Sequence, residues 1–173
     1  DLYLQSHRRV AEWHHSQDQI KVAITHYINA KRLDDAAALA KYVAHSYLIE
    51  GQKETLLHFY HPLKQHSPPE LLLHCGIIYM ERRDFSQSET FLNIAHTQFM
   101  KQDNQAQAMR ASIELAFNTY RSGDYQTTLK RLETLVIPYP DMLVRCTRLQ
   151  GLTYLELGQF DLAIQYLEQA ANS

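Results

Sequence analysis

A pattern of small, aromatic and glycine residues recurs three times in the second half of the chain. Its last copy places residues at offsets 0, 3, 7, 9, 12, 16 and 19 from Gly151: Gly151, Tyr154, Gly158, Phe160, Ala163, Leu167 and Ala170. The same offsets fall 35 positions earlier on Ala116, Thr119, Gly123, Tyr125, Thr128, Leu132 and Leu135. They fall a further 40 positions earlier on Gly76, Tyr79, Arg83, Phe85, Ser88, Leu92 and Ala95. A period of this length indicates one supersecondary unit that stacks on its own copies.

The pattern resembles the tetratricopeptide repeat, a helical hairpin with a period of about 34 residues. The small residue at offset 0 lets the two helices of a hairpin approach closely. Gly123 and Gly158 suit the left-handed residue that closes a first helix. Asp124 is a good N-cap for the second helix, whereas Gln159 is a poorer one. The predicted fold is therefore all-α, a right-handed superhelix of helical hairpins.

The same reasoning, extended to the whole chain, predicts ten helices. The first part fits the pattern less closely, and Pro68-Pro69 is its strongest break, so we predict degenerate repeats over 1–68 and three tetratricopeptide-like repeats over 69–173 in one continuous solenoid. Pro62 is expected to end the fourth helix. The predicted helices are 2–16, 19–30, 33–49, 53–61, 69–82, 85–101, 105–122, 125–136, 141–157 and 160–172.

Composition and motifs exclude several function classes. The net charge of −2 gives no bulk attraction to nucleic acid or an anionic membrane, and no apolar run reaches the ~18 residues of a membrane helix. Cys75 and Cys146 have no metal or redox spacing, which favours a reducing, cytoplasmic compartment. The chain has no Gly-x-Ser-x-Gly elbow, no His-Glu-x-x-His and no paired-carboxylate cluster, so we expect no enzymatic activity.

The opening segment resembles the MalT-like ATP-dependent regulators of the LuxR family, where a similar stretch leads from the nucleotide-binding region into a helical-repeat sensor. The residues that carry this resemblance are His7, Arg8, Arg9, Ala11, Trp13, Ala23, Ile24, His26, Ala30, Ala36, Ala37 and Leu39. The resemblance implies a P-loop ATPase upstream and a DNA-binding helix-turn-helix downstream. This chain has no Gly-x-x-x-x-Gly-Lys-Ser/Thr, so we expect no cofactor here and ATP only in an upstream domain.

Because Asp1 leads directly into a helical pattern, we expect a fragment of a longer protein. The implied partners are a small-molecule inducer or a partner protein or peptide, with DNA bound only through another domain and no membrane involved. The oligomeric state is left open. The alternative is a stand-alone tetratricopeptide scaffold that mediates protein–protein interaction, which the repeat motif supports equally well.

The repeat register predicts which residues line the concave face, where such proteins bind their partners. We predict a ligand or partner site there, formed by Arg110, Phe117, Tyr120, Arg121, Arg145 and Arg148. The same register adds Ile113, Leu152, Leu155 and Glu156 from these two repeats, and Glu70, Leu73, Ile77, Met80 and Glu81 from the preceding one. Arginine beside aromatic rings suits an anionic, partly apolar ligand or an acidic peptide. Alternatively, the arginines are solvated or pair with Glu114 and Glu156.

Histidine is abundant, with ten residues in all. His58 and His61 have a helix-compatible spacing, and His66 and His74 follow, which are ligand types that zinc accepts. However, no carboxylate or thiolate recurs at metal-ligand spacing, and Pro62 interrupts the helix. We therefore expect structural or solvated histidines and no metal site.

Overall fold

The computed structural model describes residues 2–173, and these form ten α-helices and no strand. A 3₁₀ turn, Lys64–His66, follows the fourth helix. The helices are α1 Leu2–Ser16, α2 Ile20–Asn29, α3 Leu33–Ile49, α4 Lys53–Leu63, α5 Pro69–Glu81, α6 Phe85–Lys101, α7 Gln105–Arg121, α8 Tyr125–Glu133, α9 Pro140–Glu156 and α10 Phe160–Ala171. The prediction of an all-α chain of about ten helices is confirmed.

The chain divides into two compact units, and the boundary between Ile78 and Tyr79 falls within α5. In the first unit α1 packs on α2, α2 on α3 and α3 on α4. The core of this unit includes the fully buried side chains of Ile24, Leu56 and Phe59. Helix α1 contributes only one buried residue, Ala11, to this core.

The second unit consists of successive hairpins whose core continues from one hairpin to the next. Helix α6 packs on α7, α7 on α8, α8 on α9 and α9 on α10. A buried cluster joins α7, α8 and α9 through Ile113, Ala116, Leu132, Cys146 and Leu149. Because of this shared cluster α7 also contacts α9 directly, which places the first helices of two successive hairpins side by side.

The hairpin turns follow the chemistry that the sequence indicates. Gly123 and Gly158 have φ values of +87° and +71°, in the left-handed region that glycine adopts without strain. The Asp124 carboxylate accepts a hydrogen bond from the Thr127 backbone N–H at 3.1 Å, so it caps α8 as expected. At the equivalent position Gln159 makes no side-chain cap for α10.

Two predicted helix ends differ from the structure by more than one residue. Helix α4 continues through Pro62 to Leu63, because a proline in the last turn removes only one hydrogen bond before the chain tightens into the 3₁₀ turn. Helix α8 ends at Glu133 rather than 136. Leu135 and Ile137 leave the helix and pack against the buried cluster, and Pro138 disfavours a helical Ile137.

Candidate partner-binding face

Two stripes of charged and aromatic side chains lie on the neighbouring helices α7 and α9. Residues spaced by three or four positions share one side of a helix. In α7 that spacing connects Arg110, Glu114, Phe117 and Arg121, and in α9 it connects Arg145 with Arg148. We call this surface the α7–α9 face and define it by the residues Arg110, Glu114, Phe117, Arg121, Arg145 and Arg148.

Arg145 is fixed from two sides by residues of α7. Its Nη2 lies 2.9 Å from Glu114 Oε1, and its guanidinium carbon lies 5.4 Å from the centre of the Phe117 ring. The first contact is an ion pair and the second has the geometry of a cation–π interaction. The Glu114 side chain is only 8% exposed, whereas that of Arg145 is 44% exposed. The Arg145 side chain therefore stays partly open to a partner while its orientation is held.

Arg110 completes this group. Burial lowers the pKa of its guanidinium, Glu114 acts in the opposite direction and Arg145 lowers it further. Arginine remains charged at neutral pH because its ordinary pKa is far higher. The single carboxylate of Glu114 thus acts on two guanidinium groups, those of Arg110 and Arg145. These three side chains together carry a net positive charge.

Arg121 and Arg148 are exposed, and neither forms an ion pair with any residue in the range 2–173. Arg148 lies one turn after Arg145 on α9, and Arg121 lies one turn after Phe117 on α7. Of the predicted site residues, these two have the most freedom to contact a ligand.

Tyr120 belongs to a different environment from the arginines. It packs against the buried cluster, and its ring centre lies 5.7 Å from that of Tyr125. Tyr125 donates a hydrogen bond to Glu156 Oε2 at 3.4 Å. Burial raises the pKa of the Tyr120 phenol, and Glu156 acts in the same direction. Tyr120 therefore lies apart from the arginines of the predicted site, near Tyr125 and Glu156.

The repeat register misplaces some apolar residues. Ile113 and Leu73 are 0% and 1% exposed, and Met80 is 5% exposed, so these residues belong to the core rather than to a binding face. Ile113 and Leu73 lie three positions before the small residue of their repeats. That position shares the inward side of the helix with the small residue, so an apolar side chain there packs inward.

The buried role of Glu114 was not anticipated, although its pairing with an arginine was the stated alternative. The available signal was its spacing, four residues after Arg110 and three before Phe117, which puts an acid between a cation and a ring on one side of α7. Burial of that acid depends on α9 and is not visible in the local sequence.

The histidines that the sequence singled out do not converge. His58 and His61 are exposed, and His66 Nδ1 lies 3.0 Å from Asp34 Oδ1. In the part of the chain from Leu2 onward, no group of three or more His, Cys, Asp or Glu residues is placed to hold a metal ion. None of the helices described is both long and apolar enough to cross a membrane.

Comparison with known structures places the fold among tetratricopeptide-like repeat proteins. The chain is similar to a kinesin light chain-like protein of Podosopora anserina with nearly identical TPR-like repeats, at 17% identity and a TM-score of 0.59, covering 98% of this chain and 93% of that one. It is similar to MamA at 14% identity and a TM-score of 0.61, covering 98% and 91%. These identities establish the fold alone.

A third similar structure is BtubC from P. vanneervenii, at 18% identity and a TM-score of 0.51, covering 88% of this chain and 61% of that one. No protein-family model matches the chain, and no curated protein matches it. The tetratricopeptide-like resemblance is thus supported by structure, whereas the MalT-like resemblance of the opening segment gains no support and stays a prediction.

Proposed function

We propose that this chain is a non-catalytic protein-interaction scaffold whose α7–α9 face docks an acidic, partly apolar segment of a partner protein. The observation that carries this proposal is the arrangement of Arg145, which Glu114 holds over the Phe117 ring while the arginine side chain stays partly exposed. The paired N–H groups of a guanidinium can donate to both oxygens of a carboxylate. An arginine stacked on a ring therefore presents charge and apolar surface together.

Binding at this face should cost less side-chain entropy than binding to arginines that are free in solution, because Arg145 is held in place beforehand. Ordering a long side chain on binding costs about 0.5–1.5 kcal/mol, and Arg145 is already ordered in the absence of a ligand. The exposed guanidinium groups of Arg148 and Arg121 flank this centre and offer further carboxylate contacts. Apolar side chains of the partner would lie near Phe117, which is half-buried.

The finer prediction, an inducer sensor of a MalT-like regulator, has weaker support because the fold is compatible with both roles. The two differ in the ligand that stabilises the protein. A small metabolite that raises the melting temperature of the isolated chain favours the sensor, since a ligand bound only to the folded state stabilises it by linkage. A folded or peptide partner favours the scaffold, which is the function we propose.

The test uses a fluorescein-labelled 12-residue peptide of alternating Glu and Leu, with a Gln–Leu peptide as its neutral match. Fluorescence anisotropy gives the dissociation constants. We expect the acidic peptide to bind and the neutral one to bind at least about tenfold more weakly, because the face is cationic. Raising the NaCl concentration should weaken the acidic complex, since exposed charges are screened.

Three variants locate the site. Arg148→Ala and Arg110→Ala should each weaken binding of the acidic peptide while circular dichroism and melting temperature stay close to those of the unaltered chain. Lys130→Ala removes an exposed cation of α8 in the same unit and should leave the affinity unchanged. Equal affinity of both arginine variants and the unaltered chain would refute the proposal.

A further inference from the structure

Three histidine rings meet between α1 and α2 in the first unit. His7 Nδ1 and His26 Nδ1 lie 2.7 Å apart, and the centres of these rings are separated by 4.9 Å. His14 stacks on His26, with ring centres 5.6 Å apart and an interplanar angle of 13°. His7 and His14 lie seven residues apart on α1, so both face α2.

These histidines form much of the surface by which α1 docks. Four residues of α1 face the rest of the unit at a spacing of three or four positions, namely Leu4, His7, Ala11 and His14. Ala11 is fully buried and the other three are half-buried. Two of the four are imidazoles, so the apolar area that holds α1 is small and the charge state of the imidazoles strongly affects its docking.

The Nδ1–Nδ1 contact fixes how many protons the pair can hold. One Nδ1 must carry a hydrogen and donate it, while the other must offer a lone pair. A first added proton can enter at Nε2 of the donor ring and leave the bond intact. A second must occupy the accepting Nδ1, which turns both atoms into donors and places two positive rings in contact. The pair therefore tolerates one positive charge and is broken by two.

His14 differs from the pair, because its Nδ1 lies against Gln19 Oε1 and donates to it in either charge state. On α1, Tyr3 packs edge-on against His7, with ring centres 4.5 Å apart. Tyrosine is neutral across this pH range and offers no compensating charge.

Within residues 2–29 the hairpin carries two carboxylates, Glu12 of α1 and Asp18, which lies exposed in the turn. Glu12 of α1 accepts from Arg8 at 2.8 Å, and Asp35 of α3 pairs with Arg32 at 2.6 Å. Both acids act on the Tyr27 phenol, whose pKa is raised chiefly by burial. The groups that act on His26 are the two imidazoles of α1.

We propose that the α1–α2 hairpin is an acid-sensitive joint, in which double protonation of the His7–His26 pair releases α1 from α2. Acidification would thereby free the opening helix while the hairpins of the second unit, which lack this contact, stay folded.

The direction of the His26 titration agrees with this geometry. Burial lowers the pKa of the His26 imidazole, and His7 and then His14 lower it further. The unfolded chain therefore takes up the proton at a higher pH than the docked hairpin does. The stabilising contribution is complete above the ordinary histidine pKa of about 6.5 and is lost as the pH falls from there through the lowered pKa of the docked state.

Hydrogen–deuterium exchange of the intact chain at pH 7.5 and pH 5.5, corrected for the intrinsic rate, tests the joint directly. We expect the protection of α1 to fall on acidification while that of α6 stays constant. Each unit by which the His26 pKa is lowered corresponds to about a tenfold change in the opening equilibrium.

The matched variants are His26→Asn, which keeps a neutral hydrogen-bonding group, and His15→Asn, which removes an exposed histidine of α1 outside the cluster. The first should abolish the pH dependence of α1 protection and the second should retain it. The same pH dependence in His26→Asn and in the unaltered chain overturns the proposal, as does equal protection of α1 in that chain at both pH values.

If His26→Asn does not fold, the unaltered chain decides by proton NMR of its imidazole Cε1–H signals. A His26 signal that titrates below about pH 6.5 supports the joint. A His26 signal that titrates at or above that value overturns it.

Discussion

Gly151 of α9 lies directly against Leu167 of α10. A Cβ atom at Gly151 would stand 2.7 Å from Leu167 Cγ and 3.1 Å from the backbone nitrogen of Leu167. Rotation of the leucine side chain cannot relieve the second contact, because it involves the main chain. Gly151→Ala should therefore push α10 away from α9 and lower the free energy of unfolding by about 1–3 kcal/mol, as overpacking typically does. Urea denaturation measures this loss.

Leu167→Ala provides the control for that result. In the double variant Gly151→Ala/Leu167→Ala the new methyl group meets a smaller side chain, so the two losses should sum to more than the loss of the double variant. Strict additivity would show that the close approach is not the cause of the destabilisation.

The Glu114–Arg145 ion pair should contribute measurably to stability. Glu114→Gln leaves the half-buried Arg110 without its carboxylate, whereas Arg145 can turn toward solvent. We therefore expect a loss of about 1–2 kcal/mol in the free energy of unfolding, below the cost of breaking a fully buried pair. Glu156→Gln, at an exposed acid of α9, should change stability much less. Equal effects of the two substitutions would contradict the importance assigned to burial.

Helix α10 should gain stability from an N-cap that it lacks. The backbone of Gln159 has φ and ψ of −92° and 70°, close to the −87° and 75° of the capping residue Asp124. Gln159→Asp thus places a carboxylate where the equivalent hairpin already uses one. We expect a gain of about 0.5–1 kcal/mol by thermal or urea denaturation, and Gln159→Ala should give none of it. No gain in the aspartate variant would mean that the end of α10 frays independently of its cap.

Both thiols should be inert in the folded protein. Burial raises the pKa of Cys75 to about 12 and that of Cys146 to about 11. The thiolate is the reactive form, so at pH 8 a thiol reagent should modify the folded chain more than about 100-fold more slowly than the chain in urea. The colorimetric end point in urea should be two thiols per chain. Rapid modification of either cysteine without denaturant would contradict its burial.

The helices were predictable because the constraints on them are local. Small residues, turn glycines and caps such as Asp124 specify a hairpin within about 20 residues of sequence, and the structure places helices there. The two wrong ends, at Pro62 and after Glu133, depend on packing instead. Leu135 and Ile137 leave the helix because they contact a cluster formed by three helices, and that contact is not encoded by the segment itself.

The candidate site was predictable only in part. The register brought Arg110, Phe117 and Arg145 to one surface, because residues at equivalent positions of successive repeats are neighbours. It could not distinguish a lining position from a core position at Ile113, since that depends on how deeply each helix sits. The contact between His7 and His26 was likewise missed, because it joins two helices whose relative rotation no local pattern fixes.

The ion pair between Glu114 and Arg145 has a consequence for how such a chain can change by duplication. The two residues are 31 positions apart, so the pair requires that α9 follow α7 with a single helix between them. Insertion of a hairpin between them would separate the carboxylate from its guanidinium. Duplication of the two whole hairpins from α7 to α10 would instead generate a second, complete arginine-rich surface. A partner with two acidic segments would then bind with an avidity that no single substitution supplies.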